Sequence, residues 1–436
     1  MKKLLLALLG TIYTLLLLAQ SPVADEIRRN VLCSASNYMA YPGPTQQVLT
    51  PAPEGMKPFY ISHYGRHGSR FHSKASMYNS PYLTLARADS LGKLTPKGRE
   101  VLLRLDRIRK DAEYRWGELT PLGAQQMCDI ARRMMERFPE VFEGQTDVDA
   151  RSTGVGRCVL AMEYTLLEML THNPKLNIHH NSTHRDQNYL NQQDKELLAL
   201  KFNKPAQAWL NDYVGKTERH SHLMQELFSD TVYAQREVKM ADLATELLLV
   251  AAIMQNTELG KHVTLFDLFD DDEIYSIWKI GNARWYIGWG AADVNGAVQP
   301  YSQRNLLARL IDDADQAVGD DKRKVQLRFG HETVLLPLVC LLDINGYGFT
   351  THDLNSLEEK GWINYRIFPM ACNLQFVFYR RSEKDRPEDV VFKVLLNENE
   401  ATLPLPTSKP PYYKWSDFRK FYRRKLADYE KKGGRP

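Results

Sequence analysis

The run Arg66-His67-Gly68-Ser69-Arg70 sets an imidazole between two guanidiniums, a grouping suited to taking a phosphoryl group from a donor. A phosphate monoester carries about two negative charges near neutral pH, and its loose transition state spreads charge over three equatorial oxygens. Catalysis therefore rests on positioning and electrostatic stabilisation. Arginine offers a planar fork of donors that stays charged at every physiological pH. Neutral imidazole attacks phosphorus, and a phosphohistidine intermediate divides one hard displacement into two easier ones. Gly65 and Gly68 flank the Arg-His pair and let the backbone turn closely around an anion.

Two distant segments supply what this cluster lacks. Arg151, in Arg151-Ser152-Thr153, adds a third guanidinium, and His331-Glu332 adds a donor for the phosphoryl oxygens and a carboxyl group. A carboxyl buried beside a phosphate dianion has its protonated form favoured, so Glu332 is the candidate proton donor to the leaving oxygen. Once ionised, the same group can activate water against the intermediate.

The elements that must position these residues follow from local pattern. Phe59-Tyr60-Ile61-Ser62 has strand character and runs straight into the Arg-His cluster. Thr120-Pro121 supplies a helix cap and first-turn proline, after which Met127, Ile130, Ala131, Met134 and Phe138 recur at helical spacing as a core face. Residues 146–150 read as a strand ending at Arg151, followed by an amphipathic helix through Val159, Leu160, Met162, Leu166 and Leu167. Strand signals nearly vanish from 172 to 322, where residues 230–255 are strongly helical. Strand character returns at 324–329, 374–379 and 390–396, and the apolar run 334–342 fits a buried helix.

This order predicts an α/β fold, a three-layer sandwich with a central mixed sheet and an inserted helical cap domain. The expected division is a signal peptide over 1–20, an α/β core over 21–171 and 323–436, and a helical insertion over 172–322. Arg66, His67, Arg151 and His331 all fall at predicted strand exits, where functional groups of such sheets gather.

Four separated segments resemble those of the histidine phosphatase superfamily, in particular its acid phosphatase and phytase branch. They are Tyr60 to Arg70, Leu119 to Gln126, Asp149 to Thr153 with Arg157, and Phe329 to Thr333. The resemblance implies that His67 is phosphorylated, that Arg66, Arg70, Arg151 and His331 hold the phosphate, and that Glu332 donates the proton. It also implies that no metal or other cofactor is required. The chain departs from the pattern at His72, where a proline is common. Its distal motif, His331-Glu332, differs from the His-Asp of many phytases and from the His-Ala-Glu of multiple inositol polyphosphate phosphatases. The continuation to Leu338 is otherwise closest to the latter, which tilts the expected substrate toward phytate-like inositol phosphates.

Lys2 and Lys3 precede an apolar run from Leu4 to Ala19, a secretory signal pattern too short for a comfortable bilayer span. The expected location is outside the cytoplasm, periplasmic or extracellular, with no membrane contact after cleavage. Without those two lysines, 55 basic residues face 53 acidic ones, so bulk charge predicts no partner, and the small phosphorylated substrate is expected from the motifs alone. The basic stretch 419–432 is expected as an amphipathic helix with Phe421, Leu426 and Tyr429 inward rather than a nucleic-acid patch. Five cysteines without CxxC spacing argue against a zinc ribbon and leave room for one disulfide. His179, His180 and His184, or His220 and His222, lack the companions that would complete a metal site. Asp270 to Glu273 lacks the spacing of a calcium loop. The alternatives are a broad-specificity phosphatase for sugar or other organic phosphates, a phosphomutase, and an exported phospho-ligand binder without turnover.

Overall fold

The computed structural model describes residues 21–191, 194–319 and 324–434. The expected signal segment lies outside the described residues, as does the expected domain boundary at 322/323. An eight-stranded sheet organises the molecule, built from β1 (Lys57–Arg66), β2 (Asp147–Ser152), β3 (Asn177–Asn181), β4 (Lys324–Gly330), β5 (Asn373–Arg380), β6 (Val391–Leu396), β7 (Asn399–Ala401) and β8 (Tyr413–Lys414). Its order is β3-β2-β4-β1-β5-β6-β7, with β8 also on β6. The pairs β3–β2, β2–β4 and β4–β1 are parallel, and those from β1 onward are antiparallel. The sheet is mixed, as expected.

Alternation along the strands serves two cores. Ile61, Val325, Leu327 and Phe329 face a layer formed by α3 (Pro121–Arg137) and α4 (Gly156–His172), including Met127, Ile130 and Met134. Tyr60, Tyr64, Phe376 and Phe378 face the opposite layer, which contains α7 (Arg304–Gly319), α8 (Glu332–Leu341) and α9 (Trp415–Lys431). Thr120 caps α3 by accepting a 3.2 Å bond from Gly123 N, ahead of a first-turn proline.

A third core is helical. It joins α1 (Ser76–Ser90) and α2 (Pro96–Asp111) to α5 (Met240–Met254) and the first half of α6 (Asp271–Trp289), with the segment 22–38 packed against them. The expected insertion over 172–322 therefore does not coincide with this body. Helices α1 and α2 lie outside that interval yet pack with α5. Conversely, β3 and α7 lie inside it yet belong to the sheet and its covering layer. Amphipathic periodicity says that a helix buries one face; which core receives that face is decided by the tertiary fold.

In α9, Phe418, Tyr422 and Tyr429 are buried and Phe421 is 41% exposed, because helical geometry groups 418, 422 and 429 and turns 421 outward. All five cysteines are free. Asp270 and Glu273 form a capping box at the start of α6, which accounts for that acidic run.

Candidate active site

The central strand β1 delivers Arg66 and His67 to a point where two neighbours end. Arg66 N donates to Cys372 O at 2.8 Å, His67 N donates to Gly330 O at 3.1 Å, and Ala371 N donates to His67 O at 3.0 Å. The chain then turns beneath α3. A Cβ on Gly68 would stand 2.3 Å from Gly123 O, and one on Gly123 would stand 2.1 Å from Ser69 O. Only two glycines allow this close crossing. Ser69 N donates to Gln126 Oε1 at 2.8 Å, tying the turn to the same helix.

His67 is fully buried. Its Nδ1 lies 2.9 Å from Gly68 O, a contact that requires the proton on Nδ1 and leaves the lone pair on Nε2. Nε2 has no hydrogen-bond partner, and neither have the Nε groups of Arg66, Arg70 and Arg157. Burial first, then the charges of Arg66, Arg157 and Arg70, drive the His67 pKa well below its ordinary value. The ring is neutral, and so nucleophilic, throughout the physiological range.

Two of the guanidiniums are anchored at one end. Arg66 Nη1 donates to Asn37 O at 2.6 Å and to Phe368 O at 3.2 Å. Its Nη2 stands 3.0 Å from Glu332 Oε1. Arg70 Nη1 donates to Phe71 O at 2.8 Å, and its guanidinium carbon lies 5.5 Å from the centre of the Tyr38 ring. Arg157 occupies the first turn of α4. Its pKa is lowered by burial and then by the nearby Arg70 charge.

At the end of β4, His331 and Glu332 close the group. The His67 and His331 rings are 5.6 Å apart, and Thr153 Oγ1 lies 3.4 Å from His331 Nε2. Burial lowers His331 to about 4, with Arg157, Arg66 and Arg70 adding to the effect against the pull of Glu332. For Glu332, burial raises the pKa, but the charges of Arg66 and Arg70 outweigh it and hold the carboxyl at about 2. Asn37 Nδ2 donates to Glu332 Oε1 at 3.1 Å. Asn37 and Tyr38 also line a cavity of about 590 Å³, together with Arg219, Arg284 and Trp285 and the acidic Glu218, Asp242 and Glu246.

The structure thus brings together Arg66, His67, Arg70, His331 and Glu332. It does not bring Arg151 to them. Arg151 shares one face of β2 with Asp149, to which its Nη2 is paired at 2.7 Å, and its side chain is 30% exposed. Strand alternation points residues 147, 149 and 151 the same way, while Arg157, in the first turn of the next helix, reaches the cluster. Arg157 and Asn37 are the residues that motif reading left off the site. The signal for Arg157 was a second arginine at a helix start; Asn37 carried none.

His67, His331 and Glu332 place ligand atoms within 4.8 Å of one another, close enough to share a cation. Three surrounding arginines make the local potential strongly positive and favour an anion instead. Of the paired histidines, His180 Nδ1 meets Glu163 Oε1 at 2.9 Å, and His220 Nδ1 lies 3.9 Å from Glu218 Oε1.

A buried imidazole with a free lone pair, set at a strand exit among unsatisfied guanidinium donors, defines an anion site with a nucleophile at its centre. The family model of the histidine phosphatase superfamily (branch 2) matches residues 65–397, and the chain belongs to that superfamily. It is similar to multiple inositol polyphosphate phosphatase 1 of Gallus gallus, with 24% identity over 64% of this chain and 63% of that one. The corresponding Homo sapiens protein is 27% identical over 44% of this chain and 41% of that one. This chain therefore aligns with less than two thirds of either relative's length. Among solved structures, a Bifidobacterium longum multiple inositol polyphosphate phosphatase crystallised with inositol hexasulfate shares the fold at a TM-score of 0.75. That match has 16% identity and covers 89% of this chain and 97% of the other. A phytase from D. castellii follows with a TM-score of 0.60, 14% identity and coverage of 91% and 85%. Among the described residues, no helix is long and apolar enough to cross a membrane.

Proposed function

We propose that the protein is an exported phosphoric monoester hydrolase that removes phosphate from inositol polyphosphates through a phosphohistidine at His67. The observation that carries this reading is the orphaned His67 Nε2, buried among three guanidinium Nε groups that also lack partners. Buried polar groups are normally satisfied, and an unfilled set of donors around a nucleophile is what a phosphoryl group would complete. Relatives named as inositol polyphosphate phosphatases support the substrate class, and the aromatic cavity beside Asn37, which carries Arg219 and Arg284 together with Glu218, Asp242 and Glu246, offers room for a leaving group. The opening Lys2-Lys3 and apolar run support export.

In this scheme Arg66, Arg70, Arg157 and His331 hold the phosphoryl oxygens. Nε2 of His67 bonds to phosphorus while the ester P–O bond breaks, its electron pair leaving with oxygen. Glu332 gives that oxygen a proton. Water then adds to phosphorus as the P–N bond breaks, and its proton passes to Glu332. The arginines hold Glu332 ionised in the empty site; a phosphate dianion offsets their charge and raises the carboxyl, so substrate binding brings the acid its proton.

Purified native chain and His67→Ala, incubated with phytate and with p-nitrophenyl phosphate, test the reading through free phosphate. We expect at least about a thousandfold lower release from the variant on both substrates. Equal release would overturn the mechanism. Tight phosphate binding without release by the native chain would favour a binder, and a preference for small organic phosphates over phytate would favour the broad-specificity alternative.

A further inference from the structure

Asn37 stands upstream of the matched family segment, which begins at residue 65, yet it touches two members of the catalytic group. Its side-chain Nδ2 donates to Glu332 Oε1 at 3.1 Å, and its carbonyl oxygen accepts from Arg66 Nη1 at 2.6 Å. Arg66 Nη2 approaches the same Oε1 at 3.0 Å. Oε1 thus accepts from Asn37 and is ion-paired with Arg66. An oxygen in that setting cannot itself carry the acidic hydrogen without meeting a donor head-on.

The backbone around Asn37 is held from several sides. Ser36 adopts φ 55° and ψ −126°, a conformation that strains a residue with a Cβ. Asn364 Nδ2 donates to Ser36 Oγ at 2.8 Å, and Asn364 is itself fixed by Trp278 Nε1 and by Asn282 Oδ1 from α6. On the other flank, Asn256 Nδ2 donates to Tyr38 O at 2.8 Å, Gln255 Oε1 accepts from Ala40 N at 3.0 Å, and Met370 N donates to Met39 O at 2.8 Å. Buried asparagines therefore clamp a strained turn that aims Asn37 at Glu332 and sets Tyr38 against Arg70. Strain of this kind persists where the surroundings over-determine it, and here they do so at the acid.

We propose that Asn37 is a positioning residue for Glu332: by fixing Oε1 against Arg66, it confines the transferable proton to Oε2, which faces the leaving oxygen. The proton moves from Oε2 to the oxygen released from phosphorus, leaving a carboxylate whose Oε1 keeps the Asn37 hydrogen bond and the Arg66 ion pair. Asn37 acts through the acid and makes no bond to phosphorus. The inference rests on the reading of Glu332 as proton donor.

The test compares native chain, Asn37→Ala, Asn37→Asp, Glu332→Gln and the Asn37→Ala/Glu332→Gln pair on phytate, a poor leaving group, and p-nitrophenyl phosphate, a good one. For Asn37→Ala we expect kcat on phytate to fall about tenfold or more, kcat on p-nitrophenyl phosphate to change less than about threefold, and KM for both to stay within about threefold. Loss of a donor to the carboxylate favours its protonated form, so the alkaline limb of kcat against pH moves upward in Asn37→Ala. It moves further in Asn37→Asp, which sets a second carboxylate beside the first. In the Glu332→Gln background, Asn37→Ala should remove less than about a further twofold. If Glu332→Gln penalises phytate selectively and Asn37→Ala does not, the positioning role is overturned while the acid assignment stands. If Glu332→Gln slows both substrates equally, the acid assignment fails and takes this inference with it. A uniform loss in Asn37→Ala with an unmoved pH limb would mark a purely structural residue.

Discussion

Arg66 and Arg328 are both buried arginines on adjacent parallel strands, and the molecule treats them in opposite ways. Arg328 donates to Ser62 Oγ at 3.0 Å and pairs with Asp313 at 2.5 Å, and Arg309 braces the same aspartate at 2.9 Å. Its charge is answered by protein. Arg66 keeps an unpartnered Nε and shares its neighbourhood with Arg70 and Arg157, so positive charge accumulates there without an equal carboxylate count. A closed ion-pair network rigidifies the sheet. An open cluster of cations stores repulsion that an anion relieves, and the same residue type thereby serves as brace in one place and receptor in the other.

The sharpest way to break this contrast is to remove a cation from the open cluster. Arg157→Met should lower kcat/KM by about a hundredfold to a thousandfold, as loss of one transition-state donor does, while urea unfolding shifts by less than about 0.5 kcal/mol. Arg151→Met should leave kcat/KM within about twofold, since its partner is Asp149. A reversal of the two would return the site to Arg151. In the closed network, Arg328→Met should reduce stability by about 3 kcal/mol, because Asp313 keeps only the half-exposed Arg309, and phosphate affinity should not move.

Ligand linkage measures the same contrast more gently. Inorganic phosphate at a hundred times its Kd should stabilise the native chain by about 2.7 kcal/mol, with proton uptake visible as buffer-dependent binding heat, since the bound anion raises Glu332 from about 2. Arg157→Met should lose most of that stabilisation at the same phosphate concentration. The smallest effect concerns His63, whose two ring nitrogens also lack partners although it lies against Phe329 and outside the cation cluster. Burial, followed by the Arg328 charge, lowers it to about 3. A folded pKa below the unfolded value means stability present above about pH 6.5 and lost as pH falls toward 3. Between pH 7 and 5 the native chain should therefore lose about 2 kcal/mol more than His63→Leu, read by urea unfolding. An unpartnered atom marks a receptor only where like charges surround it.

Much of the frame was legible because period and composition coincide there. β1, β4, β5 and β6 are apolar runs at the centre of the sheet, and Thr120-Pro121 announces its helix by capping chemistry. β3 was illegible: Asn177-Ile178-His179-His180-Asn181 is an exposed edge strand, and its polar residues blunt that edge at the expense of any alternation. The first motif and the His331-Glu332 pair sit at strand ends, where sequence position fixes direction. Choosing between Arg151 and Arg157 needed more, because strand alternation turns one aside and a helical turn brings the other in. The alliance of α1 and α2 with α5 likewise depends on which apolar faces meet, a long-range fact that no window along the chain contains.

The bond between Asn37 and Glu332 joins residues 295 positions apart. Loop-closure entropy grows only slowly with length, so such a bond is affordable, but it closes only after the first segment and the fourth strand have met. Local pairing alone cannot complete the centre, whatever order the layers take. An unfolded chain carries both motifs, yet the imidazole stays unframed and the carboxyl group unplaced until residues 37 and 332 have found each other.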